Sequence, residues 1–177
     1  RPNDRTAGRP RGQSLPDLVA LPTSIEQVQQ IVRICRRNSV PVVARGSGTG
    51  LSGGALPVAG GLLLVLSRLD EILEVDPRRG LARVQPGVTN LAVSEAAAPH
   101  GMYYAPDPSS QVACSVGGNV AENSGGVHCL KYGLTVHNVL AVKLVTMDGE
   151  LLTLGSETGE APGLNLLGAV IGSEGLL

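Results

Sequence analysis

Two glycine-rich segments, about sixty residues apart, constrain this chain more than any other feature of its sequence. The first, at 45–54, reads RGSGTGLSGG, and the second, at 106–126, reads PDPSSQVACSVGGNVAENSGG. Glycine lacks a Cβ, so it adopts positive φ and lets a ligand approach the backbone closely. Successive backbone N–H groups in such loops form concave nests that bind anions. Two such segments, with Ser, Thr and Asn interleaved, predict a long phosphorylated ligand held along much of its length.

The composition argues against nucleic acid as a partner. Fourteen basic and fifteen acidic side chains give a net charge of −1, whereas a protein that follows a phosphate backbone needs a basic surface. The chain has no Phe, no Trp and only three Tyr, so it lacks the aromatic platforms on which single-stranded bases stack. The 177 residues are enough for one domain, whose core must be built from Leu, Val, Ile and Ala.

The cysteines favour a reducing compartment. Cys35, Cys114 and Cys129 are odd in number and form no CxxC pair, so neither a disulfide framework nor an iron–sulfur site is expected within this chain. Free thiols suit the cytoplasm. No histidine pair has metal-ligand spacing, and the longest apolar run, at 62–66, is too short to cross a bilayer. No signal peptide is visible, and the start at Arg1 suggests a piece of a longer protein.

The N-terminal part of the chain predicts an irregular arm followed by a strand, a helix and a second strand. Residues 1–17 are rich in Arg, Pro, Gly and Asp without periodicity, whereas 18–21 is a short apolar strand candidate. Thr23 and Glu26 fit a capping box, and apolar residues then recur at helical spacing. Residues 41–44 indicate a buried strand, so the two strands are predicted to form a parallel pair.

Shorter elements are predicted for the rest of the chain. They are strands at 62–66, 72–75 and 81–84, a helix at 89–98 capped by Thr89, a long strand at 136–146, and a returning strand at 151–154 after the Asp148-Gly149 turn. The predicted fold class is α+β with mixed sheets, not a repeating βαβ array, and residues 18–177 are assigned to one domain.

The first glycine segment formally matches a dinucleotide fingerprint but fails its structural requirement. Residues 48–53 read G-T-G-L-S-G after a predicted strand, and that fingerprint requires a helix to begin there. Pro57, Gly60 and Gly61 follow too soon for such a helix. No Lys follows the glycines, which excludes a Walker loop. A glycine-rich turn without any ligand remains the alternative for this loop.

The second segment predicts a short helix with a ligand-facing start. Residues 117–119 could open a helix that ends at Gly125-Gly126, and free N–H groups at its start would favour an anion. The alternative is a tight packing corner of small residues. His128 lies beside this segment, where it either lines a site or has a structural role, and Lys131 either reaches a phosphate or faces solvent.

Five motifs in order resemble a known flavoprotein family. They are ARGSGTGLSGG at 44–54, PDPSS at 106–110, GGNVAENSGG at 117–126, KYG at 131–133 and IGSEGLL at 171–177. Together they resemble the FAD-binding domain of the vanillyl-alcohol-oxidase-type (PCMH-type) flavoproteins, and most closely the group of the glycolate oxidase FAD subunit and D-lactate dehydrogenase. The resemblance implies two α/β subdomains with FAD extended between them, and it covers the chain from about residue 18 onward.

The resemblance also implies a set of cofactor-binding residues. They are Arg45, Gly46, Ser47, Gly48, Thr49, Gly50, Pro106, Asp107, Ser110, Ser115, Gly118, Asn119, Ala121, Ser124, Gly125, Gly126, Glu174 and Gly175. The backbone of 46–50 would wrap the pyrophosphate, and Pro106, Asp107 and Ser110 would lie near the flavin end. Some relatives carry at the position of Thr49 a His that is bonded to the flavin, so the Thr here predicts non-covalent FAD.

The activity that the resemblance implies is oxidation of a D-2-hydroxy acid, glycolate or D-lactate, by hydride transfer from its α-carbon to the flavin. In the family, the residues that bind this acid and take its proton mostly lie in a second, C-terminal domain. That domain is expected to be absent here and the FAD-binding domain to be incomplete at its C-terminal end, so no catalytic residue and no metal ligand is assigned to this chain.

Other functions of the same fold remain open. One is a non-redox FAD enzyme resembling alkylglycerone-phosphate synthase, another an NADPH-dependent enolpyruvyl sugar-nucleotide reductase, and a third a non-catalytic fragment. The resemblance implies a small hydroxy acid as substrate and an iron–sulfur subunit or a quinone as electron acceptor. The expected location is the cytoplasm, with attachment to the inner membrane face through a partner and without a transmembrane segment.

Overall fold

The computed structural model describes residues 15–159 and 163–176, so the predicted arm at 1–17 falls almost wholly outside the described residues. The strands are β1 (Leu18–Ala20), β2 (Val42–Arg45), β3 (Leu62–Val65), β4 (Ile72–Asp76), β5 (Leu81–Val84), β6 (Ala141–Val145) and β7 (Leu151–Gly155). The helices are α1 (Ile25–Arg37), α2 (Asn90–Ala97), α3 (Val116–Glu122), α4 (Cys129–Tyr132), α5 (Thr135–Asn138) and α6 (Leu166–Val170). The α+β class is confirmed.

The first strands form a three-stranded parallel sheet in the order β1-β3-β2. β1 and β2 are parallel as predicted, but they are not neighbours, because β3 pairs with both of them through the Leu18↔Leu62 and Val42↔Leu62 registers. β3 reads LLLV with Leu62 and Leu64 buried, and such an apolar strand suits the centre of a parallel sheet. The two edges of the sheet are therefore formed by β1 and β2.

Helix α1 covers this sheet and supplies one side of the core. Val28, Val32 and Cys35 recur at helical spacing and are all buried. They pack against Leu62 and Leu64 of the sheet, together with the buried Leu69 that follows it. Cys35 is therefore a core residue with a free thiol.

The start of α1 differs by one residue from the prediction. Ser24, not Thr23, is the N-cap, and its hydroxyl accepts a hydrogen bond from the Gln27 N–H at 3.3 Å. The Gln27 side chain reaches back instead to the backbone N–H of Thr23 at 2.7 Å. Ser and Thr both cap helices well, and with Ser24 as the N-cap the third residue of the helix is Gln27 instead of Glu26.

In the part of the chain that the structure describes, antiparallel strands pair in two hairpins, β4–β5 and β6–β7, and an isolated antiparallel bridge joins Thr89 to Ser115. Parallel and antiparallel strands therefore lie in separate sheets. The predicted strand at 136–146 is wrong in its first half, because α5 occupies Thr135–Asn138 and β6 begins at Ala141. Thr135 is fully buried with its hydroxyl on the Ser124 carbonyl at 2.7 Å, and this tertiary contact overrides the β propensity of the local sequence.

The predicted Asp148-Gly149 turn joins β6 to β7 and docks on α1. Gly149 has a φ of +75°, which the turn requires. Its carbonyl accepts hydrogen bonds from the side chains of Gln29 at 2.7 Å and Arg33 at 2.8 Å. The first sheet and the last hairpin are thus tied together. Within 15–159 and 163–176, no helix is both long and apolar enough to cross a membrane.

Candidate functional site: a glycine-lined cradle around α3

The first glycine segment lies against the start of α3. A Cβ added at Gly46 would overlap the Ser115 hydroxyl, so only glycine permits this approach. Further along the segment, the Ser52 hydroxyl donates to Glu122 Oε2 at 3.1 Å. A Cβ at Gly50 would lie 3.0 Å from the other oxygen of Glu122. The first glycine segment therefore runs beside α3 from the N-cap of the helix to its last residue.

Ser115 organises this contact. It is the N-cap of α3, its hydroxyl accepts from the Gly118 N–H at 3.4 Å, and its side chain is buried. Its backbone pairs with Thr89, which caps α2 and is confirmed in that role. A Cβ at Gly117 would come within 2.7 Å of Pro86. Gly117 thus lets Pro86 approach α3, while Gly46 lets the first segment approach its cap.

The backbone of the first segment is available to a ligand. Residues 46–61 contain no helix, and 47–50 are exposed. Among the described residues, none of the N–H groups of 46–50 donates to a protein acceptor. Gly48 has a φ of +73°, so the chain bends into a left-handed conformation in the middle of this run. Free, exposed N–H groups around such a bend make an anion nest.

Arg45 supplies a positive charge to the same loop. Its guanidinium donates to the Ala55 carbonyl at 3.3 Å and lies against Gly48, where a Cβ would collide with it. The side chain is thereby folded under the loop rather than extended into solvent. A guanidinium is permanently charged and matches phosphate oxygens well, so this arginine favours an anion at the nest.

The second glycine segment forms its own close approach, between Gly126 and Asp107. A Cβ at Gly126 would collide with both the backbone and the carboxylate of Asp107. Pro106 is fully buried, and its carbonyl accepts from the Asn90 side chain at 3.0 Å. The PDPSS turn is consequently held from both sides. The Asp107 carboxylate accepts hydrogen bonds from the ring and the backbone N–H of His128 at 2.6 and 3.2 Å.

The closing motif caps the end of α3. The N–H of Glu174 donates to the Ala121 carbonyl at 2.9 Å, and Glu174 itself has a φ of +54°. Left-handed backbone at a non-glycine residue costs free energy and persists only where the surroundings hold it. The Glu174 carboxylate also lies beside Gly54, 3.5 Å from where a Cβ would stand. All three glycine-containing motifs therefore meet along α3.

Many of the predicted site residues fall into two groups. Gly46, Ser115 and Gly118 meet at the start of α3, with 47–50 open beside them. Pro106, Asp107 and Gly126 meet at the second approach, and Ser110 is half-buried in the turn before α3.

The other predicted residues take different positions. The Ser124 carbonyl is used by Thr135, Gly125 packs on Leu134, and Gly175 has open space around it. Asn119 is buried within α3, with the amide nitrogen of its side chain unpartnered among the described residues.

Sequence reasoning missed Asn90 and Glu122. Asn90 is fully buried, binds the Cys114 and Pro106 carbonyls through its backbone and side chain, and so fixes the PDPSS turn. The sequence signal that could have found Asn90 is its position directly after the N-cap Thr89, where the helix itself offers its side chain no hydrogen-bond partner. Glu122 joins the first segment through Ser52, a contact between residues far apart in sequence that no local pattern reveals.

Ionisable side chains cluster at the second approach. The hydrogen bond from His128 holds the pKa of Asp107 below its usual value. Hydrogen bonding from Tyr103, and then Lys131, lowers the pKa of Tyr132, whose ring lies edge-on to Tyr103 with centroids 6.1 Å apart. This end of the site therefore carries acid–base groups, whereas the first glycine segment carries an anion nest.

Comparison with known proteins identifies the cradle. The sequence profile of a family described as FAD binding domain matches residues 16–155. The chain belongs to this FAD-binding family. It is 64% identical over 162 residues to the glycolate oxidase subunit GlcD of Escherichia coli (strain K12), a match that covers 92% of this chain and 32% of that protein. It is 38% identical over 167 residues to D-lactate dehydrogenase of Anaerostipes hadrus, covering 94% and 35% respectively.

Solved structures show the same fold. An alkyldihydroxyacetonephosphate synthase superposes with a TM-score of 0.77 at 28% identity, over 89% of this chain and 29% of that one. The FAD-binding chain spans about a third of the length of the curated relatives it matches.

FAD fits the residues that are present. It is a pyrophosphate that joins two ring systems, so it needs an anion site and a long, small-residue surface. The free N–H groups of 46–50 and the Arg45 guanidinium supply the first. The exposed Gly48 and Gly50 offer a surface without side chains, and the close approaches at Gly46 and Gly126 hold the two glycine segments against Ser115 and Asp107. FAD is the cofactor of this domain.

Proposed function

We propose that this chain, over residues 18–177, is the FAD-binding part of an oxidoreductase that oxidises a D-2-hydroxy acid, glycolate or D-lactate. The open anion nest at 46–50 carries the FAD assignment. The hydroxy acid rests on the likeness to GlcD and to D-lactate dehydrogenase. Bound FAD would supply the acceptor for a hydride from the α-carbon of the acid.

Different residues of the chain would hold different parts of FAD. The backbone of 46–50 and Arg45 would hold the pyrophosphate, and Ser115, Gly118 and Asn119 would line the middle of the cofactor. Pro106, Asp107 and Ser110 would lie towards the flavin. Thr49 is exposed in the nest and stands where some relatives carry a His bonded to the flavin, which supports FAD held without a covalent bond.

Anaerobic titration of the full-length protein tests the substrate. Glycolate or D-lactate should bleach the flavin absorbance near its visible maximum, and L-lactate serves as the stereochemical control for D-lactate. Absence of bleaching by both acids would overturn the assignment. Reduction by NADPH alone would instead support a sugar-nucleotide reductase. Acid precipitation tests the binding mode, because non-covalent flavin should stay in the supernatant.

A second candidate is a non-redox enzyme, favoured by the likeness to alkyldihydroxyacetonephosphate synthase. It predicts that the flavin stays oxidised with either hydroxy acid and that FAD is still bound. The greater identity to GlcD makes this the less favoured candidate.

The partners and location are also proposals. The relative named as a glycolate oxidase subunit supports an assembly with other subunits, in which an iron–sulfur subunit or a quinone takes the electrons. Three free thiols, two of them buried, support a reducing cytoplasmic location. Cell fractionation and co-purification with partner subunits test both proposals.

A further inference from the structure

The first glycine segment needs outside contacts to keep the shape of an anion nest. Five of the nine residues at 46–54 are glycine, which loses more conformational freedom on ordering than any other residue. A ligand that had to order such a loop would bind less tightly by the free energy that the ordering costs. Contacts that hold the loop before FAD binds therefore determine how tightly the nest holds it.

The two ends of the nest are held against the two ends of α3. One end is fixed where Gly46 lies against Ser115. Beyond it, in the part of the chain that the structure describes, residues 47–52 make a single hydrogen bond, from the Ser52 hydroxyl to Glu122 Oε2 at 3.1 Å. The far end of the nest therefore depends on one side chain.

The carboxylate of Glu122 reaches the loop at two points. One oxygen accepts from Ser52, and the other lies 3.0 Å from where a Cβ of Gly50 would stand. A carboxylate accepts a hydroxyl hydrogen bond more strongly than a neutral oxygen does. Its negative charge, however, opposes a bound pyrophosphate. The arrangement therefore suits a residue that shapes the loop, not one that attracts the ligand.

The end of α3 that carries Glu122 is itself anchored. Two N–H groups of the closing motif at 171–177 donate to carbonyls in the last turn of α3, each at 2.9 Å. Directly after the helix, the Asn123 side chain accepts from the Val136 N–H at 3.0 Å. Glu122 is thus attached to backbone that two other segments hold, whereas Ser52 is exposed in the loop. Their hydrogen bond orders the loop against the helix.

Resting on the placement of the pyrophosphate at 46–50 in the proposed function, we propose that Glu122 is a positioning residue for FAD. Through Ser52 it holds the far end of the nest, so that the nest has its shape before the cofactor binds. This role depends on the hydrogen bond that Glu122 accepts and not on its charge. The hydroxy acid has no part in it.

Glu122→Ala and Ser52→Ala remove the hydrogen bond from opposite sides. One hydrogen bond to a charged group corresponds to about fivefold or more in an equilibrium constant. In the full-length protein stripped of FAD, fluorescence titration should therefore show the Kd of FAD raised by at least about that factor in each variant. The double variant should bind no more weakly than either single variant, because both lose the same bond. Increases that multiply in the double variant would overturn the inference.

Conservative variants separate position from charge. Ser52→Thr keeps the hydroxyl, and Glu122→Gln keeps an oxygen that accepts its hydrogen bond. The Kd of FAD should stay within about twofold of the unsubstituted value for Ser52→Thr, and should be equal to it or lower for Glu122→Gln, which no longer repels the pyrophosphate. If Glu122→Gln binds FAD as weakly as Glu122→Ala, the charge is responsible and the inference fails.

Glu95→Ala is the matched control. Glu95 is an exposed glutamate of α2 whose side chain makes no hydrogen bond or ion pair among the described residues. Its removal should leave the Kd of FAD within about twofold of the unsubstituted value. Ser52→Ala decides the question if Glu122→Ala does not fold, because Ser52 lies in an exposed loop.

Chemical denaturation of the FAD-free proteins distinguishes positioning from a merely structural role. A structural contact lowers the denaturation midpoint but leaves the Kd of FAD unchanged, and that result would overturn the inference. If the unsubstituted protein takes up FAD and every variant binds it equally tightly, the inference fails while the proposed function stands. If the unsubstituted protein takes up no FAD, both fail.

Discussion

Replacing Gly46 by Ala should disrupt the contact on which the cradle depends. The added Cβ would overlap the Ser115 hydroxyl, while Ser115 Cβ and the Gly118 nitrogen would be 3.5 and 3.9 Å away. Gly46 does not lie in the positive-φ region, so the backbone itself accepts Ala. The whole penalty therefore comes from one oxygen atom.

The expected cost follows from the role of that oxygen. To make room, Ser115 must leave the geometry in which it caps α3, and loss of an N-cap costs about 1 kcal/mol. Crowding in a buried contact adds about 1–2 kcal/mol. The free energy of unfolding should fall by about 2–3 kcal/mol for Gly46→Ala and by about 1 kcal/mol for Ser115→Ala, which loses only the cap.

The double variant provides the decisive measurement. Without the hydroxyl, the two Cβ atoms meet at 3.5 Å, an ordinary contact, so Gly46→Ala/Ser115→Ala should cost no more than Ser115→Ala alone. Equilibrium denaturation of the four proteins without FAD gives the coupling, and FAD titration by flavin fluorescence should follow the same order. Costs that add to within about 0.5 kcal/mol would refute the reasoning, because independent sites are additive.

Three further changes have defined outcomes. Gly126→Ala should weaken FAD binding by about tenfold or more, as measured by fluorescence titration, because its Cβ meets the backbone of Asp107, which cannot rotate away as a hydroxyl can. Glu157→Gln should lower the free energy of unfolding by less than about 1 kcal/mol, and by nothing measurable at 1 M salt, because its ion pair with Arg79 is half-exposed. The hydrogen bond from His128 lowers the pKa of Asp107 in the folded protein, so it stabilises the fold above the pKa of the unfolded carboxyl, near pH 4, and this stability is lost as the pH falls through the folded pKa. Acid denaturation of His128→Ala should therefore begin at a higher pH than that of the unsubstituted protein. Identical acid-denaturation curves would contradict this expectation.

Local signals in the sequence predicted what local interactions determine. Thr89 as a cap, the Asp148-Gly149 turn and the apolar face of α1 all depend on residues within a few positions of one another. The insertion of β3 between β1 and β2 depends on pairing across the chain, and strand periodicity alone does not encode that order. The error at 136–146 has the same origin, because Thr135 becomes helical through its bond to Ser124.

The sequence was enough to predict which residues form the site, but not which of them contact one another. The glycines could be assigned to a cofactor from their motifs, yet the reason each must be glycine is tertiary. Gly46 faces Ser115 and Gly126 faces Asp107, in both cases across a gap in sequence. Asn90 lies outside the five motifs and Glu122 inside the one at 117–126, but the partners of both are known only once the chain is folded.

Helix α3 shows what this arrangement costs and what it provides. It has seven residues and contains Gly117 and Gly118, each about 1 kcal/mol less favourable than Ala, so it would not form alone in water. The missing side chains admit Pro86 on one side and leave Ser115 room to cap the helix while touching Gly46 on the other. The glycines therefore lower the intrinsic stability of α3 but allow segments that are distant in sequence to pack closely against it. Because these same contacts shape the cradle, FAD that binds it must also stabilise the helix on which the cradle rests.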